Sequence, residues 1–255
     1  MRVVIVPCLK DNFTYLVGAG GLDVAVVDPC DPVPVLAAAD REGLRISAIL
    51  NTHHHADHVG GNKRILERFA GIPVYAHRSD AARIPGMTHA VDEGDEVVAA
   101  GLRYRVLFVP GHTSGHIAYV TDGAAFVGDT LFGAGCGRLF EGTPEMMNDS
   151  LNAKLARLPP ETRVYFAHEY TANNLRFAEH VEPGNPAVQA RSKAVAVARE
   201  RGEWTTPSTI ALERATNPFM RVDAPEIVAR YRPEFTHEPT AAEIFAKLRS
   251  AKDHF

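Results

Sequence analysis

Short apolar runs bounded by turn residues recur over the first two thirds of the chain. Runs of this kind, rich in β-branched residues, are typical of buried strands. Between them lie helical patterns, at 33–41, after Gly61 and at 145–158. Strands that recur on both sides of helices predict a layered α/β sandwich. The predicted strands are 2–6, 14–17, 22–27, 46–50, 73–76, 103–109, 117–120, 124–127 and 163–167.

The pattern changes near residue 172, after which no strand alternation is evident and prolines separate helical stretches. The helices predicted there are 172–180, 186–201, a short one near Glu226, and 241–252. We therefore expect two domains: a sandwich domain at 1–171, and an all-helical domain at 172–255.

Several predicted strands stop at a residue that can bind a metal. The strands before His53, His112, Asp129 and His168 all end in this way. Functional residues are commonly placed on loops that a rigid scaffold positions. We therefore expect these strand ends to meet at one edge of the sandwich.

The most informative segment follows the strand at 46–50 and has the pattern H-x-H-x-D-H. In extended backbone, alternate side chains share a face, so His53 and His55 point the same way and His54 points away. Asp57 and His58 lie past the bend. One metal ion could take the first pair and a neighbouring ion the second. Imidazole and carboxylate suit zinc, iron or manganese, and the lack of cysteine ligands argues against a closed structural zinc site.

The later residues complete two ligand sets. His112 could join His53 and His55 in site 1, His168 could join Asp57 and His58 in site 2, and Asp129 could bridge both ions. Paired metals about 3.5–4 Å apart hold a nucleophile and polarise a substrate oxygen together, and a bound water can have a pKa of about 7. The predicted reaction is hydrolysis by a metal-activated hydroxide. The expected catalytic residues act through the metals; they are His53, His55, Asp57, His58, His112, Asp129 and His168.

Composition narrows the alternatives. The net charge of −4 and the lack of a basic stripe argue against a nucleic-acid partner. The apolar run after Met1 is too short for a membrane span, so no membrane partner is expected. Cys8, Cys30 and Cys136 are odd in number and form no CxxC pair, so a disulfide framework is not predicted. We expect a monomer in the reducing cytoplasm.

Four motifs resemble the metallo-β-lactamase superfamily: THHHADH at 52–58, PGHTSGH at 110–116, GDT at 128–130 and AHEYT at 167–171. Within it, the chain resembles the glyoxalase II (hydroxyacylglutathione hydrolase) family in the segments 7–13, 136–142, 217–221 and 249–255. The resemblance implies a four-layer αββα sandwich with a C-terminal helical domain. It implies two divalent metal ions, zinc first and iron or manganese as alternatives, on the same seven residues.

The same resemblance implies a substrate and a reaction. A hydroxide bridging the metals would hydrolyse the thioester S-D-lactoylglutathione to D-lactate and glutathione, a step of the glyoxalase pathway that detoxifies methylglyoxal. The small glutathione thioester is then the expected partner. No separate nucleophilic serine or cysteine is required.

The substrate-binding residues are less evident from spacing. Arg249 and Lys252 share a face of the last predicted helix, where an exposed basic helix end would be the ordinary interpretation. Resemblance to the family's terminal Arg and Lys favours a clamp on the glycine carboxylate of glutathione. Arg138 and Tyr170 are further candidates. Many family members carry Lys where Arg138 stands, and Tyr where Phe140 stands.

Other residues are expected to support the site rather than bind metal. His116 and Asp28 are predicted to brace the ligands or their loops. The main alternative function is a glutathione persulfide dioxygenase of the same fold. It would hold a single iron through His53 or its neighbours, His112 and Asp129, and consume oxygen. A nuclease or lactamase of this fold and a non-catalytic binding module are further alternatives.

Overall fold

The computed structural model of the protein describes residues 1–255. The chain forms two compact units, each of which is continuous in space but not in sequence. The first unit contains residues 1–108 and 115–128, and the second contains 109–114 and 129–255. No helix combines the length and the apolar character that crossing a membrane would require.

The first unit contains a mixed six-stranded sheet in sequential order. Its first three strands pair antiparallel and the remaining strands pair parallel. The strands are β1 (Arg2–Cys8), β2 (Asn12–Gly18), β3 (Asp23–Val27), β4 (Arg45–Leu50), β5 (Val74–His77) and β6 (His89–Val91). The helices of this unit are α1 (Pro32–Arg41), α2 (Ala56–Val59) and α3 (Asn62–Arg68), with a 3-10 turn at Arg78–Asp80.

Four more strands of the first unit form an antiparallel meander, β7 (Glu96–Ala99), β8 (Leu102–Phe108), β9 (Ile117–Thr121) and β10 (Ala124–Gly128). Side chains of the meander contact the first sheet at several points. The Tyr119 hydroxyl donates to the carbonyl oxygens of Asn51 at 3.2 Å and Tyr75 at 3.1 Å. The rings of Tyr15 and Phe126 lie 5.6 Å apart. The two sheets of this unit therefore face each other across a buried core.

The helices of the first unit cover the other face of the mixed sheet. Val35, Ala38 and Ala39 of α1 and Ile65 of α3 join the same buried cluster as strand residues such as Val26. Asp31 caps α1, since its side chain accepts a hydrogen bond from the Val33 amide. The apolar stripe predicted after Gly61 is thus the buried face of α3.

The second unit is mainly helical. Its strands are β11 (Leu131–Phe132), β12 (Gly135–Cys136), β13 (Arg163–Phe166) and β14 (Ser208–Thr209). Its α-helices are α4 (Pro144–Asn148), α5 (Thr171–Val181), α6 (Pro186–Glu200), α7 (Ile210–Thr216), α8 (Pro225–Tyr231) and α9 (Ala241–Asp253). Further 3-10 turns are Leu155–Arg157, Pro218–Met220 and Arg232–Glu234, and Asp149–Lys154 is a π-helix.

The predicted continuous helix at 145–158 is wrong. The chain instead passes from α4 through the π-helix to a 3-10 turn. Side chains of this segment bond to carbonyls outside it: Ser150 donates to Pro110 at 2.7 Å, and Asn152 donates to Phe219 at 3.0 Å. These tertiary hydrogen bonds hold the segment in π and 3-10 conformations, which helical periodicity alone does not predict.

The prediction that only helices follow residue 172 is also wrong, because β14 pairs antiparallel with Arg163 and Val164 of β13. Helix α7, which follows directly, was not predicted, although Thr209 caps it by accepting from the Leu212 amide. The domain boundary near residue 172 stays a prediction.

Candidate metal centre

The histidine-rich turn lies between β4 and α2. The backbone of His55 is extended, with φ −60° and ψ 145°, and His55 is the N-cap of α2. Asp57 and His58 lie inside that short helix. The side chains of His53 and His58 meet, with ring centroids 4.0 Å apart. The bend predicted after His55 is therefore a helix start.

Asp28 anchors this turn from the end of β3. Its carboxylate accepts the Thr52 amide and the Thr52 hydroxyl, both at 2.7 Å. The same carboxylate lies 3.1 Å from His58 Nδ1. Thr52 Oγ1 in turn lies 3.1 Å from Nδ1 of His53. With both Nδ1 atoms engaged, Nε2 is the nitrogen that each ring offers to an ion.

Asp28 holds an unusual backbone conformation, with φ +49°. Asp tolerates this left-handed region better than most residues. Gly128 also has a positive φ, and a side chain there would collide with Thr52 Oγ1 and the ring of His116. His116 stacks on His53, with centroids 4.6 Å apart and planes 19° apart. His116 and Asp28 therefore both support the histidine turn, as expected.

His54 has different partners from its neighbours. Its Nδ1 lies 3.2 Å from Asp80 Oδ2, and its Nε2 lies 3.1 Å from Arg83 Nη1. Asp80 is completely buried, and Arg83 also donates to it. The side chain predicted to point away thus ties the turn to the 3-10 turn after β5.

Three predicted ligands, His112, Asp129 and His168, lie in the second unit, and all are buried. His112 Nε2 and His168 Nε2 each lie 3.4 Å from Asp129 Oδ2. His112 Nδ1 lies 2.8 Å from the carbonyl oxygen of Arg138, which fixes its ring. A side chain at Gly137 would collide with the Asp129 carbonyl and with His112. The glycine in the loop therefore permits this close approach.

All seven predicted ligands fall into groups that could hold a metal ion, with the ligand atoms of each group within 4.8 Å of one another. Two groups share no residue, and a third takes one histidine from each of them and adds Asp129. The groups are His53, His55 and His112; Asp57, His58 and His168; and His53, His58 and Asp129. A donor set of imidazoles and carboxylates without sulfur fits divalent metals with open positions.

The predicted substrate cations lie near one another in the second unit. Arg249 is only 6% exposed. Its Nη1 donates to the carbonyl of Cys136 at 2.9 Å, and its Nη2 donates to Asp253 at 3.0 Å. The same Asp253 oxygen lies 3.6 Å from Nε of Arg138, whose side chain is exposed. Asp253 thus joins the two arginines, and Arg249 also holds the loop around Cys136.

Lys252 is half-buried, and its Nζ donates to the Asn173 carbonyl at 3.4 Å. Burial, and after it the nearby positive charges of Arg249, Arg176 and Arg138, together lower the pKa of Lys252 to about 8. Several cations are therefore concentrated here with Asp253 as a carboxylate neighbour. Such a cluster favours an anionic ligand.

Two exposed aromatic rings flank the buried histidines of the second unit. Tyr170 stacks on His168, with centroids 4.9 Å apart and planes 9° apart. Phe140 is 63% exposed, and its ring lies 5.2 Å from that of His112. Tyr170 was predicted to bind substrate.

Three supporting residues were not assigned a role from the sequence. Asn12 donates to Asp57 Oδ2 at 3.0 Å, Asp80 binds His54, and Arg176 adds positive charge beside Lys252. The Asp11-Asn12 turn was visible in the sequence, but nothing there pairs Asn12 with Asp57. No local signal connects Asp80 or Arg176 to the site, since each contact joins distant segments.

Comparison with known families agrees with this geometry. Residues 10–168 match the sequence profile of the metallo-beta-lactamase superfamily. Residues 169–255 match the profile of the hydroxyacylglutathione hydrolase C-terminus. The fold and the imidazole–carboxylate groups define a member of the metallo-β-lactamase superfamily with a divalent-metal site.

Curated relatives cover the whole chain. A hydroxyacylglutathione hydrolase of Synechococcus sp. (strain ATCC 27144 / PCC 6301 / SAUG 1402/1) is 50% identical over 264 residues, with 100% of each chain covered. One of Gloeobacter violaceus is 51% identical over 250 residues, with 97% of each covered. The chain belongs to the hydroxyacylglutathione hydrolase family, which confirms the predicted family.

Solved structures agree on the fold. ETHE1 from Myxococcus xanthus is 25% identical with a TM-score of 0.68, and 99% of this chain and 98% of that chain are covered. TTHA1623 in a di-iron-bound form is 29% identical with a TM-score of 0.61, and 86% of this chain and 100% of that chain are covered. The predicted α/β sandwich with a helical C-terminal region is confirmed.

Proposed function

We propose that the protein hydrolyses S-D-lactoylglutathione to D-lactate and glutathione at a site that binds two divalent metal ions. The strongest support for this proposal is the sequence identity to named relatives. The chain is about half identical, from end to end, to proteins named hydroxyacylglutathione hydrolase. The metal-binding groups of the structure lie within that shared length, so the chemistry and the resemblance point to the same residues.

The seven proposed ligand residues, which are buried or half-buried, form two metal-binding sets. In the proposal, His53, His55 and His112 hold the first ion, Asp57, His58 and His168 hold the second, and Asp129 binds both. Ions bound there supply a Lewis acid and a water of lowered pKa.

The residues behind the ligands keep the nitrogen atoms in place. Asp28 and Thr52 occupy Nδ1 of His58 and Nδ1 of His53, and the carbonyl of Arg138 occupies Nδ1 of His112. Each ring is thereby held in the tautomer and orientation that direct Nε2 to a metal. A site whose rings are fixed in this way needs little rearrangement when it binds metal ions.

We assign the glutathione part of the substrate to the cationic cluster. Arg249, Lys252 and Arg138 are the groups that would bind its carboxylates, because charge-assisted hydrogen bonds are strong and specific. Tyr170, stacked on His168, would contact the substrate beside the metals. In this assignment residues 1–171 form the catalytic domain, and 172–255 form the substrate-binding domain.

Several finer assignments are part of the proposal. We propose zinc as the metal, a cytoplasmic location, a monomeric state and a role in methylglyoxal detoxification. The three cysteines support the location, since all are free thiols in the structure. The ligand types support zinc but also suit iron and manganese.

The test is a thioester hydrolysis assay with S-D-lactoylglutathione, run on the same sample that is analysed for metal. We expect hydrolysis at neutral pH, with two metal ions per chain. The alternative, a persulfide dioxygenase with a single iron, predicts oxygen uptake with glutathione persulfide and no thioester hydrolysis. The reported relatives do not favour that alternative, since they are named hydrolases.

A further inference from the structure

Two of the three cysteines meet beside the histidine turn, although they lie on different strands. Cys8 ends β1 and Cys30 follows β3. Both sulfur atoms contact the hydroxyl of Thr14, Cys8 Sγ at 3.7 Å and Cys30 Sγ at 3.3 Å. The two sulfur atoms thus lie against one hydroxyl group. No metal ligand is part of this group.

The hydroxyl between the thiols is directly linked to the anchor of the metal turn. Thr14 Oγ1 donates to the carbonyl oxygen of Asp28 at 2.7 Å. The amide of Cys30 donates to the same hydroxyl at 3.3 Å. Asp28 is the residue whose carboxylate holds Thr52 and His58. The thiol pair is therefore linked to Asp28 in two ways. Thr14 hydrogen-bonds to Asp28, and Cys30 follows Asp28 by two residues in the chain.

A second contact connects Cys30 to the helix that carries Asp57 and His58. A side chain at Gly60, which ends α2, would lie 2.6 Å from the carbonyl oxygen of Cys30. The next residue, Gly61, donates its amide to the carbonyl of Pro29 at 2.7 Å. The backbone at 29–30 and the end of α2 are thus in direct contact, so neither can shift alone.

We propose that Cys8 and Cys30 form a thiol–disulfide modification site, at which oxidation to a disulfide weakens metal binding by displacing Asp28. The proposal rests on the proposed metal site but not on the substrate. It assigns a role to a buried cysteine pair that the hydrolysis itself does not use.

The oxidant is of the small hydroperoxide class, since the side chains are only 5% and 6% exposed. Cys8 precedes an exposed turn at Leu9 and Lys10, which gives the shortest route to solvent. Cys8 is therefore the thiol that attacks, and the neighbouring Cys30 side chain also lowers the pKa of the Cys8 thiol.

The Cys8 thiolate attacks one peroxide oxygen, the O–O bond breaks, and a sulfenic acid and water result after protonation. Cys30 then attacks the Cys8 sulfur, forms the S–S bond and releases the second water. Two thiols lose two electrons in total, and one hydrogen peroxide is reduced to two waters. Reduction by two glutathione molecules reverses the change and yields glutathione disulfide.

A disulfide requires an S–S bond of about 2.05 Å, so the two thiols, which are free in the structure, must be drawn together beside Thr14. The backbone of Cys30 then moves relative to Asp28 and Gly60. Loss of a residue that orients a metal ligand commonly costs about 10–100-fold in metal affinity. We expect the oxidised protein to fall near the lower end of that range, because the carboxylate is displaced and not removed.

The experiment uses zinc-loaded protein treated with hydrogen peroxide. Free thiols are then blocked, and a non-reducing digest is analysed by mass spectrometry. In parallel, competition with a chromophoric chelator measures zinc affinity. We expect a peptide pair joined at Cys8 and Cys30, a loss of zinc affinity of about tenfold, and recovery of both after treatment with glutathione.

Two variants complete the test. Cys8→Ser and Cys30→Ser each place a hydroxyl where the thiol was, which can bond to Thr14 but cannot form the disulfide. Their thermal melts show whether they fold. Each should keep its zinc affinity after peroxide. The proposal is overturned if no joined peptide forms, if the disulfide forms without change in zinc affinity, or if the variants lose zinc as the native chain does. A protein that binds zinc but does not hydrolyse lactoylglutathione would contradict the proposed function and leave this result intact.

Discussion

The proposed ligands of the histidine turn and the cations of the last helix are held in different ways. In the turn, His53 and His58 are buried, and each has its second ring nitrogen engaged by Thr52 or Asp28. Near the last helix, the environment ranges from buried Arg249 to exposed Arg138. We infer that metal binding here depends on side chains held in fixed directions, whereas recognition of an anion depends on several positive charges close together.

The largest loss of metal and activity is expected from a change at Asp129. Since its carboxylate lies 3.4 Å from two proposed ligands, His112 and His168, we expect Asp129→Ala to lose metal as well as activity. The rate should fall by at least about 1,000-fold, because several kcal/mol of metal catalysis are lost. Metal analysis and thioester hydrolysis on one sample provide the measurement.

The matched control is Asp122→Ala, which removes a carboxylate from the exposed turn between β9 and β10. It should keep full metal content and rate. An Asp129→Ala protein that is fully loaded and fully active would contradict the bridging role.

Asp28→Asn tests whether fixed direction matters at the turn. The amide retains the shape and tolerates the positive φ, but it cannot accept from Thr52 and His58 as the carboxylate does. We expect metal affinity to fall by about 10–100-fold, with a smaller effect on folding. Chelator competition measures it, with the exposed Asp40→Asn as control. Equal affinities in the two variants would show that the support of His58 is unimportant.

The cationic cluster should respond differently, through substrate binding. We expect the double change Arg249→Ala and Lys252→Ala to raise KM by about tenfold or more, since a hydrogen bond to a charged group contributes about 1.5–3 kcal/mol. Metal content should remain. Steady-state kinetics with lactoylglutathione measure the effect.

Arg249 also holds the Cys136 carbonyl, so its loss could disturb the loop itself. Lys252→Ala alone separates the two effects, because Lys252 makes no bond to that loop in the structure. An unchanged KM in the double variant would place glutathione elsewhere.

The smallest expected effect is a pH dependence of KM. Lys252 has its pKa lowered to about 8, so its positive charge is present below that pH and lost above it. KM should therefore rise several-fold from about pH 7 to about pH 9, where an ordinary lysine would stay charged. Lys252→Arg keeps the charge and should remove the rise. A KM that is constant over this range in the native protein would contradict a role for the Lys252 charge.

Local patterns predicted much of this molecule. The H-x-H-x-D-H spacing indicated which histidines share a face, and apolar runs located strands such as β4 and β9. The contact of His54 with Asp80 could not be predicted, because it joins residues that only the folded chain brings together. The π-helix after α4 depends on tertiary bonds of Ser150 and Asn152. The lowered pKa of Lys252 depends on burial and on three arginines spread over the second unit.

Paired metal ions on these seven residues, in our proposal, enable the hydrolysis of a glutathione thioester. We would test this by removing metal with a chelator and titrating zinc back while lactoylglutathione hydrolysis is followed. Activity should be absent without metal and reach its maximum when two ions are bound per chain. Full hydrolysis by the metal-free protein, or at a single ion per chain, would contradict the account.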